Sequence, residues 1–349
     1  SDQDYIDLAA WFNLSWFDPY FKDEDHQLKK LFLKGKNFTQ DDKSYIVDKQ
    51  IEILNRILPS YKRLQDSIKI EISTTPYYHP ILPLIVDSDI AKESMPWALL
   101  PKRFSYSEDA KWHVQNAIKT YSKHFGKPPS GMWPAEGSVG ENILDILVEN
   151  NIKWIATDEE ILFRSLKIGK SARLYKPYLA ERKKGTVGIV FRDHALSDLI
   201  GFTYQRWNPD DAVKDFIGHL ERIRKNLEKE NIKDGLVSII LDGENAWEYY
   251  PNDGRDFLTL LYKTLNDNSS FNVTTISDYL EKAQPSEKIG KLYHGSWING
   301  DFSIWIGEAE KNSSWEYLAR TRSDLEYFQT KETNIPKEKF DLAWKEIYI

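Results

Sequence analysis

The feature that most constrains the fold is an alternation of short apolar segments with amphipathic ones. The apolar segments read as strands over 68–73, 130–133, 153–157, 185–191, 236–241 and 271–276. Between them the apolar spacing predicts helices over 138–151, 158–166, 210–230 and 255–266. Continuous apolar strands that alternate with helices are typical of a parallel sheet covered on both faces. The sequence therefore predicts an α/β fold.

Polar residues follow these predicted strands at the point where each one ends. They are His79, Trp133, Glu136, Asp158, Glu159, Arg192, Asp193, His194, Asp242 and Glu244. In parallel β/α folds the loops after the strands emerge on one face, where active sites are built. We therefore predict a catalytic rim formed by these side chains.

Some of these residues also have a purely structural interpretation. Asp158 and Glu159 precede a predicted helix and would cap it. Arg192 and Asp193 would form a local ion pair, and His79 would be a core histidine among prolines and aromatics. Ser138 and Glu141 have the spacing of a capping box for the helix that follows.

Glu136 and Asp242 are the strongest catalytic candidates because each lies at a strand end beside tryptophan and glycine. Two carboxylates on one rim suit glycoside hydrolysis, in which one attacks or activates water and the other protonates the leaving oxygen. Trp133 and Trp247 would offer apolar ring faces on which sugars stack.

Composition excludes several classes of protein. A net charge of −7 argues against a nucleic-acid partner or an anionic membrane. No run of 18 apolar residues predicts a membrane span. The absence of cysteine excludes disulfides, thiolate nucleophiles and cysteine-ligated metals. We expect neither a metal nor a cofactor. The compartment and the oligomeric state stay open, although the N-terminus lacks signal-peptide features, which favours a cytoplasmic location.

Four long segments carry a resemblance to a known family. "TTPYYHPILPLI", "GMWPAEGSV", "LDGENAWEYYPNDG" and "HGSWINGDFSIWIG" resemble conserved segments of glycoside hydrolase family 57, and "FRDHALSDLIGFTY" resembles its amylopullulanase-type members. That family includes α-amylases, amylopullulanases, 4-α-glucanotransferases and branching enzymes. The resemblance implies an incomplete (β/α)7 barrel over 1–310, the start of a helical region over 311–349, and a retaining mechanism on α-glucans such as starch, glycogen, maltooligosaccharides or pullulan.

The resemblance also implies roles for individual residues. Glu136 matches the family's nucleophile and Asp242 its general acid/base. In a retaining enzyme the two carboxyl groups lie about 5–5.5 Å apart. His79 and His294 match positions that the family uses around the substrate. Together with candidates from the predicted rim and segments, the residues expected to bind substrate are His79, Trp133, Arg192, Asp193, His194, Asp198, Glu244, Trp247, His294 and Trp297.

The sequence departs from the family pattern at both ends. The family opens with a His-Gln-Pro motif on its first barrel strand, and this sequence has only His26-Gln27 followed by Leu28. We therefore expect a central segment of a longer protein that lacks the first strand and the C-terminal part.

Two other functions share features with this sequence. A metal-dependent polysaccharide deacetylase usually needs an aspartate and two histidines, often four residues apart, and none of the seven histidines has such a partner. A catalytically silent α-glucan-binding protein would keep the aromatic cleft but has no use for two catalytic carboxylates.

Overall fold

The computed structural model describes residues 1–243, 247–283, 285, 287–331 and 335–349. The chain divides into two compact units. The first comprises 1–70, 198–217 and 241–273, and the second comprises 71–197, 218–240 and 274–349. Each unit is described separately.

The second unit contains a five-stranded sheet. Its strands are β1 Gly131–Met132, β2 Trp154–Asp158, β3 Tyr178–Arg182, β4 Gly185–Arg192 and β5 Glu287–Lys288. The strand order is β1-β2-β4-β3-β5. The pairs β1/β2, β2/β4 and β3/β5 are parallel, and β3/β4 is antiparallel. Single-residue parallel bridges join Thr74 to Met132 and Ser238 to Arg192. The predicted α/β class, with a mainly parallel sheet, is confirmed.

The predicted strands agree with this sheet in part. The segments 130–133, 153–157 and 185–191 correspond to β1, β2 and β4. The predictions for 68–73 and 236–241 are wrong. No residue of 68–73 forms a β-bridge to the sheet, although the next residue, Thr74, forms a single bridge, and in 236–241 only Ser238 forms one. The prediction for 271–276 is also wrong, since a helix begins at Ile276. The sequence reading missed β3, whose antiparallel pairing with β4 departs from an all-parallel sheet.

Helices make up most of the rest of the described chain. They are α1 Asp2–Ser15, α2 Pro19–Glu24, α3 His26–Lys34, α4 Gln40–Asp66, α5 Leu82–Val86, α6 Ala91–Ser94, α7 Ser107–Phe125, α8 Leu144–Glu149, α9 Glu159–Leu166, α10 His194–Asp198, α11 Pro209–Lys229, α12 Arg255–Asp267, α13 Ile276–Ala283, α14 Ala309–Lys331 and α15 Lys337–Tyr348. In the part of the chain described here, no helix is both long and apolar enough to cross a membrane.

The helix predicted over 138–151 is shorter than expected. It begins only at Leu144, after a 3-10 turn over Glu141–Ile143. The predicted capping box is wrong because the Glu141 carboxylate instead binds the Arg182 guanidinium at 2.5 Å and accepts the Leu292 N–H at 3.0 Å. Tertiary contacts therefore replace the local cap.

The core of the second unit lies against the sheet. All five residues of β2 are buried, and so are the last six of β4. The apolar face of α8 packs onto this sheet through Leu144 and Leu147. Burial on both sides explains why β2 and β4 read as continuous apolar runs.

The first unit has a helical core of its own. Its buried side chains are Ala10, Leu14, Phe17, Leu28, Leu31, Phe38 and Ile46. Asp25 caps α3 by accepting the backbone N–H groups of Gln27 and Leu28, both at 2.9 Å. Burial opposes ionisation of Asp25, but hydrogen bonds from Leu28, Lys49 and Tyr45 lower its pKa to about 2.

A buried ion pair joins α7 to α14 in the second unit. Arg322 donates to the two carboxylate oxygens of Asp109 at 2.6 and 2.9 Å, and both residues are almost fully buried. The guanidinium also lies over the Tyr106 ring at 3.6 Å and binds the half-exposed Glu326 at 2.7 Å. This pair fastens α14 to α7 within the sheet-bearing unit.

We expect Asp109→Asn to lower the free energy of unfolding by about 3 kcal/mol, because it leaves a buried guanidinium without its main partner. Urea denaturation of the variant and of the natural sequence gives this difference. Glu326→Gln is the matched control: it removes the exposed partner of the same arginine and should cost less than about 1 kcal/mol. Equal losses in the two variants would contradict the assignment of Asp109 as the main partner.

Candidate active site

Glu136 occupies a strained position in the loop after β1. Its backbone is left-handed, with φ 57° and ψ 26°, and Gly137 continues this conformation at φ 59°. A left-handed conformation costs a residue with a Cβ atom about 1–2 kcal/mol and persists only where the surroundings enforce it. A Cβ atom at Gly137 would lie 2.8 Å from the Trp133 ring, so only glycine fits there.

Hydrogen bonds fix this loop from several sides. The Thr157 hydroxyl, buried at the end of β2, donates to the Gly137 carbonyl at 2.6 Å. The Trp297 backbone N–H donates to the Glu136 carbonyl at 3.1 Å. Val139 and Gly295 exchange two backbone hydrogen bonds of 2.8 and 3.1 Å. The segment 295–297 thus holds the loop over 136–139 in place.

The two carboxylate oxygens of Glu136 have different partners. The Trp297 indole N–H donates to Oε2 at 2.8 Å. The His79 Nε2 lies 3.3 Å from Oε1. The Glu136 side chain is 30% exposed, so the carboxylate is both positioned and accessible.

His79 is not the core histidine of the structural interpretation. Its side chain is 49% exposed, and it lies in a turn in which Tyr78 and His79 are both left-handed, with φ 62° and 59°. Its Nδ1 lies 3.2 Å from the Thr75 hydroxyl. The structure therefore brings His79, Glu136 and Trp297 together.

A second cluster surrounds the buried Asp158. Its Oδ2 lies 3.3 Å from the Arg192 guanidinium and 3.2 Å from the His194 Nδ1. Asp158 also accepts the Glu160 N–H at 3.0 Å, so it caps α9 as the structural interpretation held. The Arg192 guanidinium lies 5.3 Å from the centre of the Trp297 ring, which links this cluster to the ring that holds Glu136.

Two further carboxylates at the strand ends are bound by structural partners. Asp193 is buried and accepts the Tyr175 hydroxyl at 2.9 Å and the Leu196 N–H at 3.0 Å. Burial and the Asp193 charge together raise the pKa of Tyr175. Glu159 is buried against Lys170 at 2.8 Å, and this hydrogen bond raises the pKa of Lys170.

His294 supports the loop rather than the carboxylate of Glu136. Its ring is buried, and a Cβ atom at Gly140 would lie 2.1 Å from it. Its Nδ1 contacts the Glu93 carboxylate at 2.5 Å, and Lys291 contacts the same carboxylate at 2.8 Å. Burial opposes ionisation of Glu93, but these two contacts lower its pKa. Substrate binding by His294 stays a prediction.

Trp133 stands beside this site. Its ring packs edge-on against Trp297, with ring centres 5.2 Å apart and the planes at 70°. It is partly exposed and lies three residues before Glu136. This arrangement leaves aromatic surface next to the carboxylate, as stacking of a sugar requires.

The remaining predicted site residues belong to the first unit or lie outside the described residues. Asp198 ends α10, and Asp242 is partly exposed. Trp247 packs on Tyr250 and on the left-handed Gly254. Glu244 lies outside the described residues. The roles of all four stay predictions.

Sequence reasoning missed Thr75, Thr157 and Glu93. Thr75 contacts His79, Glu93 contacts His294, and Thr157 holds the loop through the Gly137 carbonyl. The sequence does not signal such a role for a hydroxyl or an isolated glutamate. Over the described ranges, no group of three or more His, Asp and Glu side chains is placed to hold a metal ion.

We expect Glu136→Gly to be more stable than Glu136→Ala by about 1 kcal/mol, because only glycine adopts the left-handed backbone without strain. Both changes remove the same carboxylate. The difference between their free energies of unfolding, measured by urea denaturation, therefore reports the backbone strain. The control pair, Glu316→Gly and Glu316→Ala in the exposed middle of α14, should show the opposite order. If Glu136→Ala were as stable as Glu136→Gly, the inference of backbone strain at this position would be contradicted.

Comparison with solved structures shows which folds this chain resembles. The chain resembles a branching enzyme from Pyrococcus horikoshii, with a TM-score of 0.68 and 16% identity over 99% of this chain and 69% of that one. An α-amylase from Thermotoga maritima matches with a TM-score of 0.65 and 15% identity over 99% and 71%. A 4-α-glucanotransferase from Thermococcus litoralis matches with a TM-score of 0.55 and 19% identity over 82% and 40%.

These structures share the fold of this chain, which is of the predicted incomplete (β/α)7-barrel type. A search of curated protein sequences found no match. The sequence model of glycosyl hydrolase family 57 matches residues 3–290 of the 349. The chain therefore belongs to glycosyl hydrolase family 57 and is an enzyme of the glycoside-hydrolase type.

Proposed function

We propose that this enzyme cleaves or transfers α-glucans by a retaining mechanism in which Glu136 is the nucleophile. Family membership supports the class of reaction. The names of the similar structures, a branching enzyme, an α-amylase and a 4-α-glucanotransferase, support α-glucans as the substrates.

The observation that carries this proposal is the arrangement around the Glu136 carboxylate. A nucleophile must be aimed at the anomeric carbon within a narrow range of angles. Trp297 holds one oxygen at 2.8 Å, His79 lies 3.3 Å from the other, and the strained loop fixes the backbone. The carboxylate keeps enough exposure to meet a substrate.

The neighbours of Glu136 also suit nucleophilic attack. Among the described residues, its ion-pair partner is His79 alone, whereas Asp109, Glu93 and Glu159 are bound by arginine or lysine. A carboxylate that accepts hydrogen bonds from ring N–H groups is less neutralised than one paired with a permanent cation. More of its negative charge is then available for nucleophilic attack.

Asp242 is proposed as the general acid/base from its place in the "LDGE" motif, and its pairing with Glu136 stays a prediction. In this mechanism Glu136 attacks the anomeric carbon while Asp242 protonates the departing oxygen. Asp242 then deprotonates the acceptor, which displaces Glu136. Water as the acceptor gives hydrolysis, and a glucan hydroxyl gives transfer, so one intermediate serves both reactions.

Chemical rescue tests both roles. On an aryl α-maltooligoside with a good leaving group, Glu136→Gly should lose about 10³-fold or more of the rate. Azide should restore activity by attacking in place of the carboxylate, and the product should be the inverted β-glycosyl azide. Asp242→Gly should instead give the retained α-glycosyl azide, because azide then intercepts the intermediate on Glu136.

The configuration of the azide product, read by proton NMR, decides between the roles. Asp193→Gly serves as a control for loss of a carboxylate at the same strand ends, and it should give no glycosyl azide. A retained azide from Glu136→Gly would show that Glu136 is not the nucleophile. Full activity of Glu136→Gly without azide would refute the proposed mechanism.

A further inference from the structure

We propose that Thr75 is a positioning residue for Glu136. Its hydroxyl fixes His79 in the tautomer whose Nε2–H donates to the Glu136 carboxylate. The inference rests on the proposed function for its effect on rate, but the contacts that carry it stand on their own.

The geometry forms a short chain from Thr75 to Glu136. The Thr75 Oγ1 lies 3.2 Å from the His79 Nδ1, and the His79 Nε2 lies 3.3 Å from the Glu136 Oε1. The His79 backbone N–H donates to the Pro76 carbonyl at 2.9 Å and closes the turn between them. The imidazole thus has one partner at each ring nitrogen.

Only one neutral tautomer satisfies both contacts. An ionised carboxylate accepts hydrogen bonds and cannot donate, so the Nε2 that faces it must carry the proton. The Nδ1 of the neutral ring is then an acceptor and requires a donor. The Thr75 hydroxyl is the group placed to donate to it.

A hydroxyl has a further advantage at this position. If His79 becomes protonated, its Nδ1–H becomes a donor, and the hydroxyl can rotate to accept it. Thr75 therefore supports the same ring orientation in both protonation states. A carboxylate or an ammonium group at the same place would favour one state over the other.

Packing does not fix the ring of His79. About half of its side chain is exposed, so without hydrogen bonds it would sample several rotamers. The backbone of His79, like that of Tyr78, is left-handed. This conformation gives the turn a geometry in which the imidazole lies beside Glu136. Orientation of the imidazole thus depends on its two polar contacts.

Nitrogen NMR on ¹⁵N-histidine-labelled protein tests the tautomer directly, without any substrate. Protonated and unprotonated ring nitrogens give well separated signals, and the His79 signals are those lost in His79→Gln. At pH 8 we expect His79 of the natural sequence to be mainly the Nε2–H tautomer. In Thr75→Val, which keeps the shape but removes the hydroxyl, we expect a mixture of tautomers.

Activity provides the second readout. On maltooligosaccharides, Thr75→Val should lower kcat about three- to tenfold, the factor that one hydrogen bond is worth, with little change in KM. Thr75→Ser keeps the hydroxyl and should restore the rate. Thr74→Val is the matched control, because the Thr74 hydroxyl donates to the Thr75 carbonyl at 3.2 Å and its removal should leave the His79 tautomer unchanged.

The two readouts separate this inference from the proposed function. Absence of glucan activity in the natural sequence would overturn the proposed function, while the NMR experiment would still decide the role of Thr75. An Nδ1–H tautomer in the natural sequence would overturn the inference. So would an unchanged tautomer in Thr75→Val, whatever its rate.

Discussion

The interaction on which this site depends is the double contact between Trp297 and Glu136. The backbone N–H of Trp297 binds the Glu136 carbonyl, and its indole N–H binds the carboxylate. The two residues are 161 positions apart, so this contact fixes the late segment 295–297 against the strained loop after β1. Without this contact, the left-handed backbone of Glu136 would relax, and its carboxylate would no longer be held in one orientation.

Charge is distributed around the site in a consistent way. Several nearby carboxylates have structural partners: Asp158 with Arg192, Glu93 with His294 and Lys291, and Glu159 with Lys170. The Arg192 guanidinium lies over the Trp297 ring, whose indole N–H binds the Glu136 carboxylate. A cation over an indole polarises the ring and strengthens its N–H as a donor. Arg192 thus contacts the same ring that donates to the Glu136 carboxylate.

Much of the second unit could be predicted from the sequence because β2 and β4 are buried on both faces and read as apolar runs. The segments 68–73 and 236–241 have a similar apolar character, but the bridges to the sheet are limited to Thr74, just after the first segment, and Ser238 within the second. Amino-acid composition does not encode how many residues of an apolar segment pair with a sheet. The strand β3 was missed because only Tyr178 and Ala180 of its five residues are buried, and its end is charged.

Some residues of the site could likewise be predicted from the sequence, and others could not. Glu136, His79 and Trp297 could be proposed as neighbours in one candidate site because strand ends and motifs mark them. The supporting roles of Asp193 and His294 could not, since a carboxylate or an imidazole looks the same whether it meets substrate or a buried partner. Thr75 lies in the segment "TTPYYHPILPLI", but nothing in that segment signals its contact with His79, which depends on two left-handed residues that no local pattern requires.

Trapping the covalent intermediate tests the central claim most directly. A fluorinated glucosyl substrate that reacts quickly but releases slowly should accumulate as a glycosyl ester on the enzyme. After proteolysis, mass spectrometry should locate the sugar on the peptide that contains Glu136 and fragment ions should assign it to that residue. A sugar ester on Asp158, Asp242 or any other carboxylate would contradict the account.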